Sequence, residues 1–252
     1  MILGNSKKFK GIGYVCYLDV LGFSDDILRN WNKKRSNPLN RILAIKKHMP
    51  GFSDIEDDDG SDKVRRYVCR VTTISDSVTI CFGYSDKIMI GDLVLGLEAI
   101  LSNIAYIWGT FIVNGYTLRG SIDFGDIYWD ENELVGPAFI NAYQLESQVA
   151  RNSRIIISSN LNNVFKDLVT KHKGGLTDHL MRSFRKDIDG YIIVDPNILY
   201  ETEAERMLLI DSLRKTRDSV KNALIREKYN PLMSLLANGV RTPLNEEDIG
   251  NY

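Results

Sequence analysis

Two aspartates set into apolar, strand-like strings constrain this chain more than any other feature. In Tyr17-Leu18-Asp19-Val20-Leu21-Gly22-Phe23-Ser24 and in Thr73-Ile74-Ser75-Asp76-Ser77-Val78-Thr79-Ile80, one carboxylate interrupts residues that read as a buried strand or a strand entering a turn. An ionised carboxylate there is costly unless a cation or a charged partner offsets it. Neither aspartate has a histidine or cysteine beside it, so the pair suits a hard divalent cation. Magnesium keeps several waters and binds through one or two carboxylates plus substrate phosphates, which matches a donor set this sparse.

The elements around these strings follow from periodicity and punctuation. Gly11 to Asp19 reads as the first strand, with Ser24 capping a helix that carries Asp25 and Asp26 in its first turn. Pro38 opens a second helix that ends before Pro50. The run Ser53-Asp54-Ile55-Glu56-Asp57-Asp58-Asp59-Gly60 reads as a solvated acidic loop, because Ile55 stands where an EF-hand loop needs its first carboxylate. Arg66 to Ser75 and Ser77 to Phe82 form a hairpin with Asp76 at its tip, followed by a helix from Ile88. Next come a strand Tyr116 to Phe124, a short strand Asp126 to Trp129, and a helix opened by Gly136-Pro137 that runs through Ala138, Ala142, Leu145 and Val149. A strand Arg154 to Ser158, a hairpin turning at Asp189-Gly190 and a long charged helix Glu201 to Lys228 complete the pattern.

The order β-α-α-β-β-α-β-β-α-β predicts an α+β fold with a ferredoxin-like core. In that core the first strand and the hairpin tip are neighbours, so Asp19 and Asp76 converge. Leu21-Gly22-Phe23-Ser24 then joins a strand to a helix N-terminus, where backbone N–H groups can face a triphosphate and Gly22 permits close approach.

The 252 residues, 44% hydrophobic, suffice for a substantial core and read as one elaborated domain: a catalytic unit over residues 1–200 and a helical extension over 201–252 packed on it or on a dimer partner. A net charge of −1 gives no basic field to attract nucleic acid. Cys16, Cys69 and Cys81 fall in strands without zinc spacing and read as reduced core residues. The apolar stretch Ile88 to Val113 contains Asp92 and Glu98, which favours a buried helix or a dimer contact over a membrane span. Met1 to Gly11 lacks the apolar segment of a signal peptide, and the expectation is a cytoplasmic protein.

Taken together, the Leu-Asp-Val-Leu-Gly-Phe-Ser string, the Ser-Asp-Ser hairpin, Leu118-Arg119-Gly120 with Gly125, and Gly136-Pro137-Ala138 leading to Ala142-Tyr143-Gln144-Leu145-Glu146 resemble the class III nucleotidyl cyclase domain. Within it they look closest to the bacterial anti-phage pyrimidine cyclases of Pycsar systems. The resemblance covers residues 11 to 160.

It implies a homodimer with composite active sites that converts UTP, or alternatively CTP, to a 3′,5′-cyclic monophosphate and pyrophosphate. Asp19 and Asp76 match the metal-binding aspartates, joined by the backbone carbonyl of Val20, and two Mg²⁺ or Mn²⁺ ions per site would serve the reaction. The product would be read by a separate cyclic-nucleotide effector in anti-phage defence. Adenylyl cyclases carry a base-reading lysine where this chain has Thr72. The transition-state asparagine and arginine of ordinary cyclases align with Ile140 and Gln144. Asn141, Gln144, Arg70, Arg119 and Arg154 are the candidate replacements.

Each of these residues also has a plainer reading. Asp19 could cap the following helix, Asp76 could be a turn residue, Arg119 could form a structural ion pair and Phe23 could pack in the core. His48, His172 and His179 lack ligand spacing and read as surface residues; Lys171 and Lys173 read as a solvated turn within reach of a phosphate. For the whole chain, the competing functions are a catalytically silent sensory or dimerisation domain and, lower, an RNA-binding ferredoxin-like domain.

Overall fold

The computed structural model describes residues 8–34, 37–47, 49, 67–84, 88–171, 174–239, 244 and 248–249. The acidic run 53–60, His48, His172 and Lys173 lie outside the described residues.

The architecture starts from β1 (Phe9–Val20), whose side chains alternate between two apolar environments. Tyr14, Cys16, Leu18 and Val20 enter the main core, while Val15 and Tyr17 face a second, smaller cluster. Such two-sided burial requires a central strand, and β1 pairs antiparallel with β3 (Ser77–Tyr84) on one edge and with β4 (Leu118–Trp129) on the other. β2 (Tyr67–Ile74) pairs with β3 through a two-residue loop, Ser75-Asp76, in which Ser75 takes the left-handed φ of 52° that suits a tight hairpin. The order β2-β3-β1-β4 is the ferredoxin-like arrangement.

The sheet continues through β6 (Ile155–Ile157), parallel to β4, then β8 (Ile192–Val194) and β7 (Phe184–Lys186), with β5 (Leu134–Val135) paired to the far end of β4. The result is an α+β fold with a central, mostly antiparallel sheet flanked by helices.

One face is covered by α3 (Ile90–Val113), which buries Leu97, Ile100, Ile104, Trp108 and Phe111. By length and composition α3 could cross a membrane, yet that stripe packs into the main core and Trp108 Nε1 donates to Thr117 Oγ1 at 3.1 Å. The other face takes α4 (Pro137–Gln148), which approaches β1 and β4 closely because Ala138 and Ala142 present only methyl groups. Helices α1 (Phe23–Asn30) and α2 (Pro38–Lys47) follow β1; α5 (Ser159–Lys171) and α6 (Gly175–Arg182) precede the β7–β8 hairpin. After a 3₁₀ turn at Pro196–Leu199 come α7 (Glu203–Ser219), α8 (Ala223–Glu227) and α9 (Asn230–Asn238). Leu209, Leu213, Tyr229, Leu232 and Leu236 of this C-terminal segment join the main core.

Three expectations are corrected. The strands read as Tyr116 to Phe124 and Asp126 to Trp129 are one strand: Gly125 does not break β4 but lies opposite Gly13 of β1, where a Cβ on Gly13 would meet Phe82 O at 2.2 Å. The short strand is instead β5. The helix read from Glu201 to Lys228 is broken after Ser219, and Asn222 restarts it by accepting from the Leu224 N–H at 3.0 Å. Ser24 is exposed and caps nothing, because α1 already begins at Phe23, behind Gly22 in the left-handed region.

Glycine substitutions separate close approach from simple flexibility. Gly13→Ala should destabilise the protein by about 2–3 kcal/mol, since the obstructing atom is backbone in a central strand. Gly109→Ala, inside α3 with nothing within 4 Å of an added Cβ, should stabilise by about 0.5–1 kcal/mol. Urea midpoints for both variants test this, and shifts of the same sign would contradict it.

Candidate metal and phosphate site

The cross-strand register builds the site. Ile74, Ser77, Asp19 and Arg119 form one row across β2, β3, β1 and β4, so Asp19 and Arg119 lie directly opposite each other on the α4 face. Both Arg119 Nε (3.1 Å) and Nη2 (3.0 Å) donate to Asp19 Oδ2, leaving Oδ1 outside this pairing. One residue on, the Val20 N–H donates to the Asp76 carbonyl at 3.3 Å, which fastens the hairpin tip against the end of β1. In an antiparallel strand a residue's N–H and C=O point to the same edge, so the Val20 carbonyl is directed toward the Asp76 side as well. The Asp19 and Asp76 charges are close enough to act on each other.

The cations around this pair come from three other elements. Lys46, in the last turn of α2, donates from Nζ to the Ser75 carbonyl and stands within reach of the Asp76 charge. Arg119 is shared with Glu146 of α4, whose Oε1 lies 2.8 Å from Arg119 Nε. Lys228, at the end of α8, also acts on Asp19.

Asp19 is held above the usual carboxylate range, first by burial, with Arg119 opposing that rise and Asp76 adding to it. Burial likewise pushes Glu146 up to about 7 against the pull of Arg119. Its Oε1 has no aligned donor, because the Arg119 Nε–H is directed at Asp19.

Glu146 was absent from the residues singled out for the site, although a signal existed. Ala138, Ala142 and Glu146 follow at intervals of four on one helix, so the carboxylate shares the face of two small buried residues. Lys46 and Lys228 carried no such local signal.

The remaining expected site residues divide. Gly22 holds φ 80°, and its turn is packed by α8: an added Cβ would lie 3.0 Å from Ile225 Cγ2. The Leu21 N–H is committed to the Thr117 carbonyl at 2.9 Å, so it does not face a ligand. Phe23 packs edge-to-face on Tyr116 in the core, and Ser24 is exposed on α1. Arg70 is held by the Asp130 and Glu131 carbonyls and donates from Nε to Thr72 Oγ1 at 2.8 Å, away from Asp19. Asn141 faces the sheet and donates to the buried Asp123 at 3.2 Å; Gln144 is exposed on the outer side of α4. Arg154 is buried between Asp187 (2.6 Å) and Asp189 (2.7 Å), tying β6 to the β7–β8 turn. His179 pairs with Glu98 at 3.6 Å on the surface, and Lys171 pairs with Asp167 at 2.8 Å. All three cysteines are buried and none forms a disulfide.

Among the described residues no cluster of three or more His, Cys, Asp or Glu side chains converges as a metal cage. Two carboxylates and a carbonyl, all oxygen donors, still fit a magnesium-type ion that completes its shell with water and phosphate. Arg119 currently supplies the countercharge that such an ion would supply.

No family model and no curated protein matches the chain. Among solved structures, a class III adenylyl cyclase-like ATP-binding protein from Pseudomonas aeruginosa aligns at TM-score 0.45 and 13% identity over 62% of this chain and 35% of its own. A bacterial light-regulated adenylyl cyclase aligns at TM-score 0.41 and 12% identity over 84% of this chain and 58% of its own. The chain thus spans well under two thirds of the length of either.

The buried carboxyl makes stability depend on pH. Glu146 retains its proton in the folded state up to about 7, whereas the unfolded chain releases it near the ordinary 4.5. Between those values the folded state binds more protons, so stability falls as pH rises through the window. Glu146→Gln should flatten that fall, measured as urea midpoints at pH 4.5, 6 and 7.5; identical slopes in the two proteins would count against it.

Proposed function

We propose that the protein is a nucleotidyl cyclase that uses divalent metal to convert UTP to 3′,5′-cyclic UMP and pyrophosphate, as a signal in anti-phage defence. The observation that carries this reading is the hydrogen bond between Val20 and Asp76, which brings two sequence-distant carboxylates to one end of the central strand. Ordered as β2-β3-β1-β4, the sheet supplies the frame on which the motifs of the class III resemblance fall.

In this reading Asp19, Asp76 and the Val20 carbonyl hold Mg²⁺ or Mn²⁺. When bound, the ions supply positive charge at the α-phosphate and lower the pKa of the attacking hydroxyl. The ribose 3′-oxygen bonds to the α-phosphorus, the bond from that phosphorus to the bridging oxygen breaks, and pyrophosphate leaves in line. The hydroxyl proton passes to water or to a substrate phosphate, so no side chain has to act as base. Arg119 is the cation positioned to follow charge as it develops, because Glu146 retains it when Asp19 takes another partner.

Exposed Ile74, Ile140 and Tyr143 on the Asp19 side of the sheet and on α4 support a homodimer whose sites form between subunits. Thr72, in place of a base-reading lysine, favours a pyrimidine, with CTP as the second choice over a purine. A cytoplasmic location and a separate effector for the product belong to the same proposal. The second reading, a silent cyclase-fold domain, is favoured by one observation: Arg119 neutralises Asp19 with no metal required.

Incubating the purified protein with each of the four nucleoside triphosphates and Mn²⁺, with cyclic products read by mass spectrometry, separates the two. Cyclic UMP is expected, and a folded dimer that yields no cyclic product from any triphosphate would establish the silent reading. Asp19→Ala and Asp76→Ala should each lower turnover by about 10²-fold or more while leaving the melting temperature within a few degrees. Retention of most of the turnover by either variant would remove that aspartate from the metal site.

A further inference from the structure

The cyclase reading leaves unassigned the segment that closes over the β1–α1 turn. Three contacts fix it there. Ile225 of α8 packs on Gly22, the Lys228 carbonyl accepts from the Ser153 N–H at 3.1 Å, and Tyr229 is buried in the main core. Ser153 in turn donates from Oγ to the Leu118 carbonyl at 3.0 Å and lies 2.6 Å from Thr117 Oγ1. Leu118 is the cross-strand partner of Val20, and Thr117 accepts the Leu21 N–H. The backbone of Lys228 is therefore anchored beside the end of β1, where Asp19, Val20 and the Gly22 turn meet.

The Lys228 side chain is half-buried, and among the described residues it has no ion-pair partner. Among the described residues, the two other cations placed beside this carboxylate pair are already engaged: Arg119 by Asp19 and Glu146, and Lys46 by the Ser75 carbonyl. A half-buried ammonium whose charge reaches Asp19 but which closes no ion pair among the described residues, at a site with two carboxylates suited to metal, is arranged to meet an anion that arrives from solution. Its charge already lowers the proton affinity of Asp19.

We propose that Lys228 binds the polyphosphate tail of the nucleotide, so that the C-terminal helical segment completes the active site. This rests on the cyclase reading and adds a ligand to it. The tail of a metal-bound triphosphate carries charge beyond what the metal neutralises, and a compact ammonium on a flexible stem suits a group that must accept both triphosphate and departing pyrophosphate. Ile225 and Tyr229 hold the segment in place, and they are positioning residues in this scheme.

The test uses the full chain and two probes: inorganic tripolyphosphate with Mg²⁺, followed by calorimetry, and the triphosphate substrate in steady-state assays. Lys228→Gln should weaken tripolyphosphate binding about tenfold and raise KM by a similar factor, with kcat within about twofold. Lys228→Arg should restore binding. Lys221→Ala, an exposed lysine of the same segment, should match the unaltered protein. A second variant, Lys228→Met, guards against an effect peculiar to glutamine.

If Lys228→Gln and Lys228→Met bind tripolyphosphate as tightly as the unaltered protein, the assignment is overturned while the cyclase reading stands. A lower melting temperature with unchanged binding would show that Lys228 only caps α8, and would also overturn it. If the unaltered protein neither binds tripolyphosphate with Mg²⁺ nor turns over any nucleotide, both proposals fall together.

Discussion

The pairing of β1 along both of its edges is the constraint on which the rest of the molecule depends. Because β4 holds it from Phe9 to Val20 and β3 from Gly13 to Asp19, successive side chains must alternate between the α3 face and the α4 face, and neither face is free to slip by one residue. The alternation delivers Leu18 and Val20 to the main core and forces Asp19 onto the other face, next to Arg119. A carboxylate is tolerated there because its partner on β3, Ser77, is the terminal residue of that strand, and beyond it the sheet gives way to a turn that charged groups can approach. The site is thus a consequence of where the pairing stops.

The charges at that end balance in an unusual way. Asp19, Asp76 and Glu146 contribute three carboxyls, against which stand Arg119, Lys46 and Lys228. Two of the cations are committed to protein oxygen atoms, and burial pushes two of the carboxyls, Asp19 and Glu146, toward neutrality. In low dielectric each of these interactions is strong, but each also depends on its neighbours. Replacing the Arg119 contact at Asp19 by a divalent ion would add charge to the cluster, which favours ionisation of Glu146 and the arrival of phosphate.

Much of this was legible in the sequence, for identifiable reasons. The apolar strings around Asp19 and Asp76 gave both strands and the hairpin tip, because a lone carboxylate in a β-branched run has few stable placements. The order of elements then gave the ferredoxin-like arrangement. Local rules failed where tertiary contact overrode them: Gly125 passes through β4 because the β1–β4 ladder runs on across its pairing with Gly13, and Ser24 lost the cap because Gly22 begins α1 two residues earlier than the cap preference predicts. Arg70 and Asn141 had suitable chemistry and suitable positions in the chain, yet the β4–β5 loop and Asp123 had already claimed them. Lys46 and Lys228 were illegible, since their approach to the site depends on helices arriving from 27 and 209 residues further along the chain than Asp19.

In the proposed cyclase reading, the absence of a transition-state asparagine and arginine at Ile140 and Gln144 has a geometric account. Both side chains project from the outer, solvent side of α4, whereas Glu146, on the inner side, reaches the end of β1. On such a helix the inner stripe can position a cation only through a partner from the sheet, and Arg119 is that partner. A guanidinium rooted in a central strand is more rigid than one carried by a helix at a subunit boundary, because the β1–β4 register fixes its Cα opposite Asp19. Asp19 and Glu146 meet the same Nε edge of its planar fork, so release of Asp19 would turn the Nε–H to Glu146 and leave Nη2 for a phosphate oxygen. Electrostatic support for a developing charge at this site would therefore come from the sheet, and α4 would act by holding it.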